Sequence, residues 1–164
     1  MNPEQLAKSG TEHGEQMALM CWCNMAMKYG FKTANDMSCY NNGPYTQPEA
    51  HYHYPQLKWI YAIPNAGARG NKVAAGQLKA EGLKSGVADI CLPVTKYDSK
   101  DKYIESLIAF GFGLYIELKR KDGVPSDVSD KQNEFGAFVT SQGYLWKVCF
   151  GWQQARDVIQ AYLT

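Results

Sequence analysis

The chain has 164 residues, 45% of them hydrophobic and 20% charged, and carries a formal net charge of +1 at pH 7. That length suits one domain, 1–164, with no room for an appended module, and the apolar fraction is enough to offset the ordering entropy of a packed core, which excludes a disordered chain. The near-neutral balance excludes nucleic-acid binding through bulk charge alone and leaves a local basic surface open. The N-terminal stretch MNPEQLAKSGTEHGEQ is charged throughout and has no signal-peptide core, and no later run reaches the roughly 20 apolar residues of a membrane span. A soluble, intracellular, cytoplasmic protein without a membrane partner is therefore expected. The five cysteines are an odd number, and Cys91 and Cys149 sit inside apolar runs, so reduced, buried thiols are expected. His13, His51, His53 and Cys39 lack paired metal-ligand spacing, which argues against zinc.

In chain order, Thr11 caps a predicted helix from about Glu12 to Tyr29, closed by Gly30, with Ala18, Leu19, Trp22, Ala26 and Tyr29 on its apolar stripe. Glu15 shares that stripe. Residues 31–56 read as loop, with one short helix near Glu49 to Leu57. WIYAIP, Trp59 to Pro64, reads as a strand followed by the tight loop NAGARG, and a helix follows from about Lys72 to Glu81. VADICLP is a second strand, carrying Asp89. KYDSKDK reads as a solvated turn, YIESLIAF as helix or strand, and FGLYIELKRK as a strand ending in charge. Ser129 opens a helix to about Gln142, YLWKVCF makes the last strand, and Gln153 to Leu163 the last helix. Strands interleaved with helices imply an α/β fold, a central mixed sheet flanked by helices.

Asp89 and Glu117 each interrupt an apolar run, where a carboxylate is costly to bury without a partner. Two strands carrying one carboxylate each can bring both to a divalent cation, and an all-oxygen shell favours Mg2+ or Mn2+ over zinc. In Glu-x-Lys the two charged side chains share one face of a strand, so Lys119 joins Glu117. This set suits phosphodiester hydrolysis, in which a metal activates water and a lysine offsets developing negative charge. The competing explanation is structural: Asp89 caps a strand end, and Glu117 pairs with Lys119 or Arg120. Gln132 has two readings as well, because Ser129-x-x-Gln132 is a capping box, while Gln132 shares a helical face with Phe135, Gly136 and Val139 and so points toward the sheet. Arg69, Lys72 and Lys84 make a DNA-backbone surface beside Asp89. Trp146 and Trp152 read as core.

The blocks GEQMALMCW, WIYAIPNAGARG, KAEGLKSGVADICLP, GLYIELKR and SDKQNEFGAFVTSQGY, in that order, resemble the VRR-NUC (virus-type replication-repair nuclease) family of the PD-(D/E)XK superfamily. The resemblance spans most of the chain apart from parts of residues 31–50 and 94–110, where KYDSKDKYIESLIAF lengthens the family pattern. It implies the restriction-endonuclease-like fold, Asp89 and Glu117 as metal ligands with the Leu118 carbonyl as a further one, and Lys119 as the catalytic lysine. It also implies that Glu15 is the helix-borne acid, meeting the metal directly or through water, and that Gln132 contacts phosphate or the attacking water. The dipole of its own helix is the alternative explanation of Glu15.

The expectation is a metal-dependent, structure-selective DNA endonuclease acting on branched or junction DNA, a Holliday-junction resolvase working as a homodimer and carried by a phage or mobile element. A flap or replication-fork nuclease with the same centre is the first alternative. The second is a DNA-binding module that keeps the fold without turnover.

Overall fold

The computed structural model describes residues 1–41, 49–64, 72–97 and 109–164. Its helices are α1 (Pro3–Ala7), α2 (Glu12–Asn35), α3 (Lys72–Ala80), α4 (Asp130–Ser141) and α5 (Trp152–Leu163). Its strands are β1 (Tyr61–Ala62), β2 (Ile90–Leu92), β3 (Lys96–Tyr97), β4 (Ala109–Gly111), β5 (Leu114–Lys119) and β6 (Leu145–Phe150). Strands β1, β2, β5 and β6 form one sheet in that order, antiparallel except for the parallel β5–β6 pair, and β3 pairs with β4 in a small second sheet. Among the described residues no helix is long and apolar enough to cross a membrane.

The period-2 pattern of β5 decides the layering. Leu114, Ile116 and Leu118 join Ile90, Leu92 and Cys149 in the main core, beneath Leu19 and Trp22 of α2 and Trp152 and Ile159 of α5. Tyr115, between them, turns to the other face and meets Phe135 of α4 edge-on at 5.3 Å. The strand is buried on both sides, so the carboxylate and ammonium at its end are buried too. Cys91 is buried as well, and Trp152 lies in the core as expected.

The helix expected to stop at Gly30 continues to Asn35 across a kink, with Gly30 at φ 83° and ψ 165°. A residue with φ > 0 breaks a helix, so the stop signal is real. Packing restarts the helix: Phe31 and Ala34 are buried, and Phe31 stacks between Trp22 and Tyr54, while the Tyr54 N–H satisfies the Met27 carbonyl at 3.1 Å. Three further differences follow from local chemistry. The first residues form α1, closed by an Asn2/Gln5 capping box that the charged composition concealed. The segment read as a strand from Trp59 is a 3-10 turn over Pro55–Trp59, begun by proline, and only Tyr61–Ala62 pairs with β2. Finally, KYDSKDK, expected to be a turn, starts as strand β3; the expected loop 65–70 and most of YIESLIAF lie outside the described residues.

Helix α4 lies close over the sheet because Gly136 lacks a side chain. A Cβ there would stand 2.4 to 2.6 Å from the indole ring of Trp146 on β6. Gly136→Ala must therefore lift α4 or twist Trp146, an overpacking cost of about 1–3 kcal/mol. Urea unfolding at equilibrium is expected to show that loss; an unchanged midpoint would mean that the α4–sheet contact is slack.

Candidate active site

The site forms where β2 begins and β5 ends. Asp89 directly precedes β2, and three backbone links hold it in place: its N–H donates to the Ile116 carbonyl at 3.1 Å, its carbonyl accepts from the Ile63 N–H at 2.7 Å, and its carboxylate accepts from the Leu118 N–H at 2.8 Å. The carboxylate therefore completes the sheet edge beyond the last β2–β5 pair. The expected strand-end role of Asp89 is real, and it aims the side chain at β5.

Glu117 is 1% exposed. Its Oε1 accepts from Lys119 Nζ at 3.0 Å and from Gln132 Nε2, while Oε2 is buried without a hydrogen-bond partner among the described residues. Burial, and then the negative charge of Asp89, push the Glu117 carboxyl up to about 7, with Lys119 pulling the other way. Two carboxylates are thus held near each other, with Lys119 bonded to Glu117 and one Glu117 oxygen without a hydrogen-bond partner among the described residues.

Both readings of Gln132 hold at once, through different atoms. Its Oε1 accepts from the Ser129 N–H at 2.8 Å, closing the capping box of α4, and from Lys119 Nζ at 3.3 Å. Its Nε2 is left to donate to Glu117. The cap fixes the amide orientation and so determines which end of it faces the carboxylate.

Glu15 is buried, and its Oε2 accepts from the Trp152 N–H at 2.8 Å. Helix α5 begins at Gly151, which has no side chain to cap it, so a carboxylate from α2 does so instead. Glu15 lies in the first turn of its own helix and thus also serves the N-terminus of α5. The same turn touches the site through its backbone: the Gly151 N–H donates to the Lys119 carbonyl at 3.0 Å. Glu15 is linked to Lys119 through the start of α5, and the structure does not draw it into the hydrogen-bonded set of Asp89, Glu117, Lys119 and Gln132.

Of the expected DNA-contacting residues, Lys84 is exposed in the segment leading to Asp89. Arg69 and the side chain of Lys72 lie outside the described residues. The sequence reading missed Gly86. It has φ +87°, and a Cβ there would come within 2.6 to 2.9 Å of the Cβ, carbonyl carbon and oxygen of Lys131. Only glycine lets the chain entering β2 lie against the first turn of α4, beside Gln132. An isolated glycine just ahead of a carboxylate-bearing strand was the available signal.

The donors suit a hard divalent cation. Asp89 and Glu117 offer oxygen, Glu117 Oε2 lacks a partner, and a cation would relieve the repulsion that raises the Glu117 carboxyl. Among the described residues no group of three or more His, Cys, Asp or Glu side chains gathers, so further ligands would be backbone, water or phosphate oxygens, as magnesium commonly takes.

The mixed sheet with helices on both faces is consistent with a PD-(D/E)XK-like fold. A solved structure described as a "VRR_NUC domain protein" has this fold: it matches 93% of this chain and 88% of its own with a TM-score of 0.57 at 19% sequence identity. No family model matches the chain. No curated protein matches it either.

Glu117 gives the metal-free protein a pH signature. Its carboxyl is raised from an ordinary 4.5 to about 7, so between those values the folded chain keeps a proton that the unfolded chain has released. Stability is therefore expected to fall as pH rises through that window and to level off above it, by on the order of 1–3 kcal/mol. Urea unfolding in chelator at pH 5 and pH 8 should show the slope in the wild type and lose it in Glu117→Gln. Equal slopes in the two proteins would remove Glu117 as its source.

Proposed function

We propose that the chain is a Mg2+- or Mn2+-dependent DNA endonuclease. The observation that carries this reading is the convergence of Asp89, Glu117, Lys119 and Gln132, from three separate elements, with a buried Glu117 oxygen left unpartnered. Fold analogy adds support, since the solved neighbour is described as a VRR_NUC domain protein.

Asp89 and Glu117 would hold the metal, with the Leu118 carbonyl as a further donor. When bound, the metal would supply a Lewis acid for the phosphate and lower the pKa of bound water. The protein's own residues do the remainder. Lys119, tied to Glu117 and Gln132, presents an ammonium that compensates charge growing on the phosphoryl oxygens. Gln132, its amide fixed by the helix cap, bonds both members of the Glu117–Lys119 ion pair and so fixes where each points. Glu15 positions Lys119 through α5, and it also lines a cleft of about 470 Å3 with Lys8 and Lys121. Lys84, with Arg69 and Lys72 from the expected basic surface, contacts the DNA backbone without reading sequence.

Lys119→Ala or Asp89→Asn is expected to lower the cleavage rate by a factor of about 10² or more while DNA binding persists, because these groups act on the transition state more than on the bound substrate. Magnesium and manganese should support turnover, and calcium should support binding alone. Rates are read on labelled duplex, flap, fork and four-way DNA. Wild-type rates in either variant, or cleavage that survives rigorous chelation, would end this reading.

The chain contributes one such centre, whereas symmetric resolution of a four-way junction needs two incisions. A two-fold homodimer supplies the second, and closed two-fold assemblies are the commonest homo-oligomers. Paired cuts on immobile junctions by a species of dimeric mass in light scattering are expected. A monomer active on flaps and inert on junctions would instead favour flap or fork cleavage.

A further inference from the structure

Beside the catalytic centre a second feature stands unused. A cleft of about 520 Å3 opens between the segment that leads into Asp89 and the outer face of α4, with Lys84, Val87, Lys131, Glu134, Phe135 and Phe138 among its lining residues. That volume falls within the roughly 300–1,000 Å3 of small-molecule-sized clefts. Phe138 is 62% exposed, so its ring is open to solvent at the cleft. Lys131, Glu134, Phe135 and Phe138 recur at helical spacing, so one stripe of α4 carries a cation, an anion and two rings.

The chemistry of the lining is mixed in a specific way. Two aromatic rings provide faces, two lysines provide positive charge, and Glu134 repels an anion from the helix side of the cleft. Lys131 is drawn toward the opposite wall by a 3.4 Å contact with the Ser85 hydroxyl, while Lys84 is exposed. The cleft opens beside the centre: Val87 lines it and stands two positions before Asp89, about 7 Å along an extended chain. A nucleotide that enters here would lie close along the strand to one whose phosphate sits at the Asp89 centre.

We infer that the cleft between residues 84–87 and α4 receives an unstacked nucleobase of a DNA strand adjoining the scissile phosphate, with Phe138 as its stacking face and Lys84 and Lys131 on the flanking phosphates. Every base has a π-face, so stacking of this kind reads no sequence, but it does require a base free of its helix. Paired duplex cannot supply one without the cost of unstacking, whereas a branch point or single-stranded arm can. The cleft therefore selects DNA with unpaired nucleotides next to the cut. This rests on the nuclease reading for the identity of the ligand, and it assigns the structural preference to α4 and not to the acidic residues.

The test is fluorescence anisotropy in calcium with two DNAs of equal length, one fully paired and one with unpaired nucleotides at a branch, using wild type, Phe138→Ala and Phe138→Trp. Phe138 is exposed, so its replacement leaves the core intact. Phe138→Ala is expected to weaken binding of branched DNA about tenfold or more, the scale of one lost base–aromatic stack, and to change duplex binding by less than about twofold. Phe138→Trp should retain the preference. Equal effects on the two DNAs, or none, would overturn the inference. So would a fall in molecular mass of Phe138→Ala in light scattering, which would mean that a second copy of the chain covers the ring. A wild type that cleaves but binds branched DNA without any dependence on Phe138 defeats the cleft and leaves the nuclease reading standing. A wild type that cleaves neither DNA, yet binds the branched one through Phe138, defeats the nuclease reading and supports the cleft.

Discussion

The buried carboxylate of Glu117 constrains everything around it. A charge 1% exposed at the end of a strand that is otherwise core must be compensated locally. Lys119 supplies the opposite charge from the same face of β5, and Gln132 supplies an amide hydrogen from α4. Those two partners satisfy one oxygen. The second oxygen and the facing Asp89 leave negative charge in excess, which raises the affinity of the centre for protons when no cation is present. The same imbalance that weakens the metal-free fold at neutral pH is one that a bound hard cation would relieve.

Geometry elsewhere serves to hold that arrangement. Asp89 cannot drift, because its N–H, carbonyl and carboxylate are all engaged with β1 and β5. Helix α4 reaches the carboxylate because Gly136 lets it settle on Trp146, and the chain before Asp89 reaches α4 because Gly86 gives it room at Lys131. Glu15 acts from a distance: it caps α5, whose leading residue Gly151 is bonded to the Lys119 carbonyl. Rigid secondary elements joined at several points hold catalytic groups more closely than loops do. The helix cap and the contact with Glu117 are not exclusive here, since the cap that orients Gln132 is also what aims its amide at Glu117.

The local chemistry of the sequence was sufficient for a large part of this. Alternation in LYIELK put Glu117 and Lys119 on one face, and the cost of a carboxylate in an apolar run marked both acids as partnered before any partner was visible. Thr11 and Ser129 marked helix starts through their own caps, because capping is decided within four residues. The blocks resembling a nuclease family likewise pointed to the fold that the solved neighbour shares. Tertiary structure alone decided what depends on residues far apart in the chain. It resumed α2 beyond Gly30, because Trp22 and Tyr54 enclose Phe31. It sent Glu15 to a helix 137 residues away and pressed Gly86 against Lys131. Spacing within a segment reports which side of an element a residue occupies; which other element comes to meet that side is set by the packing of the whole core, and no local pattern encodes it.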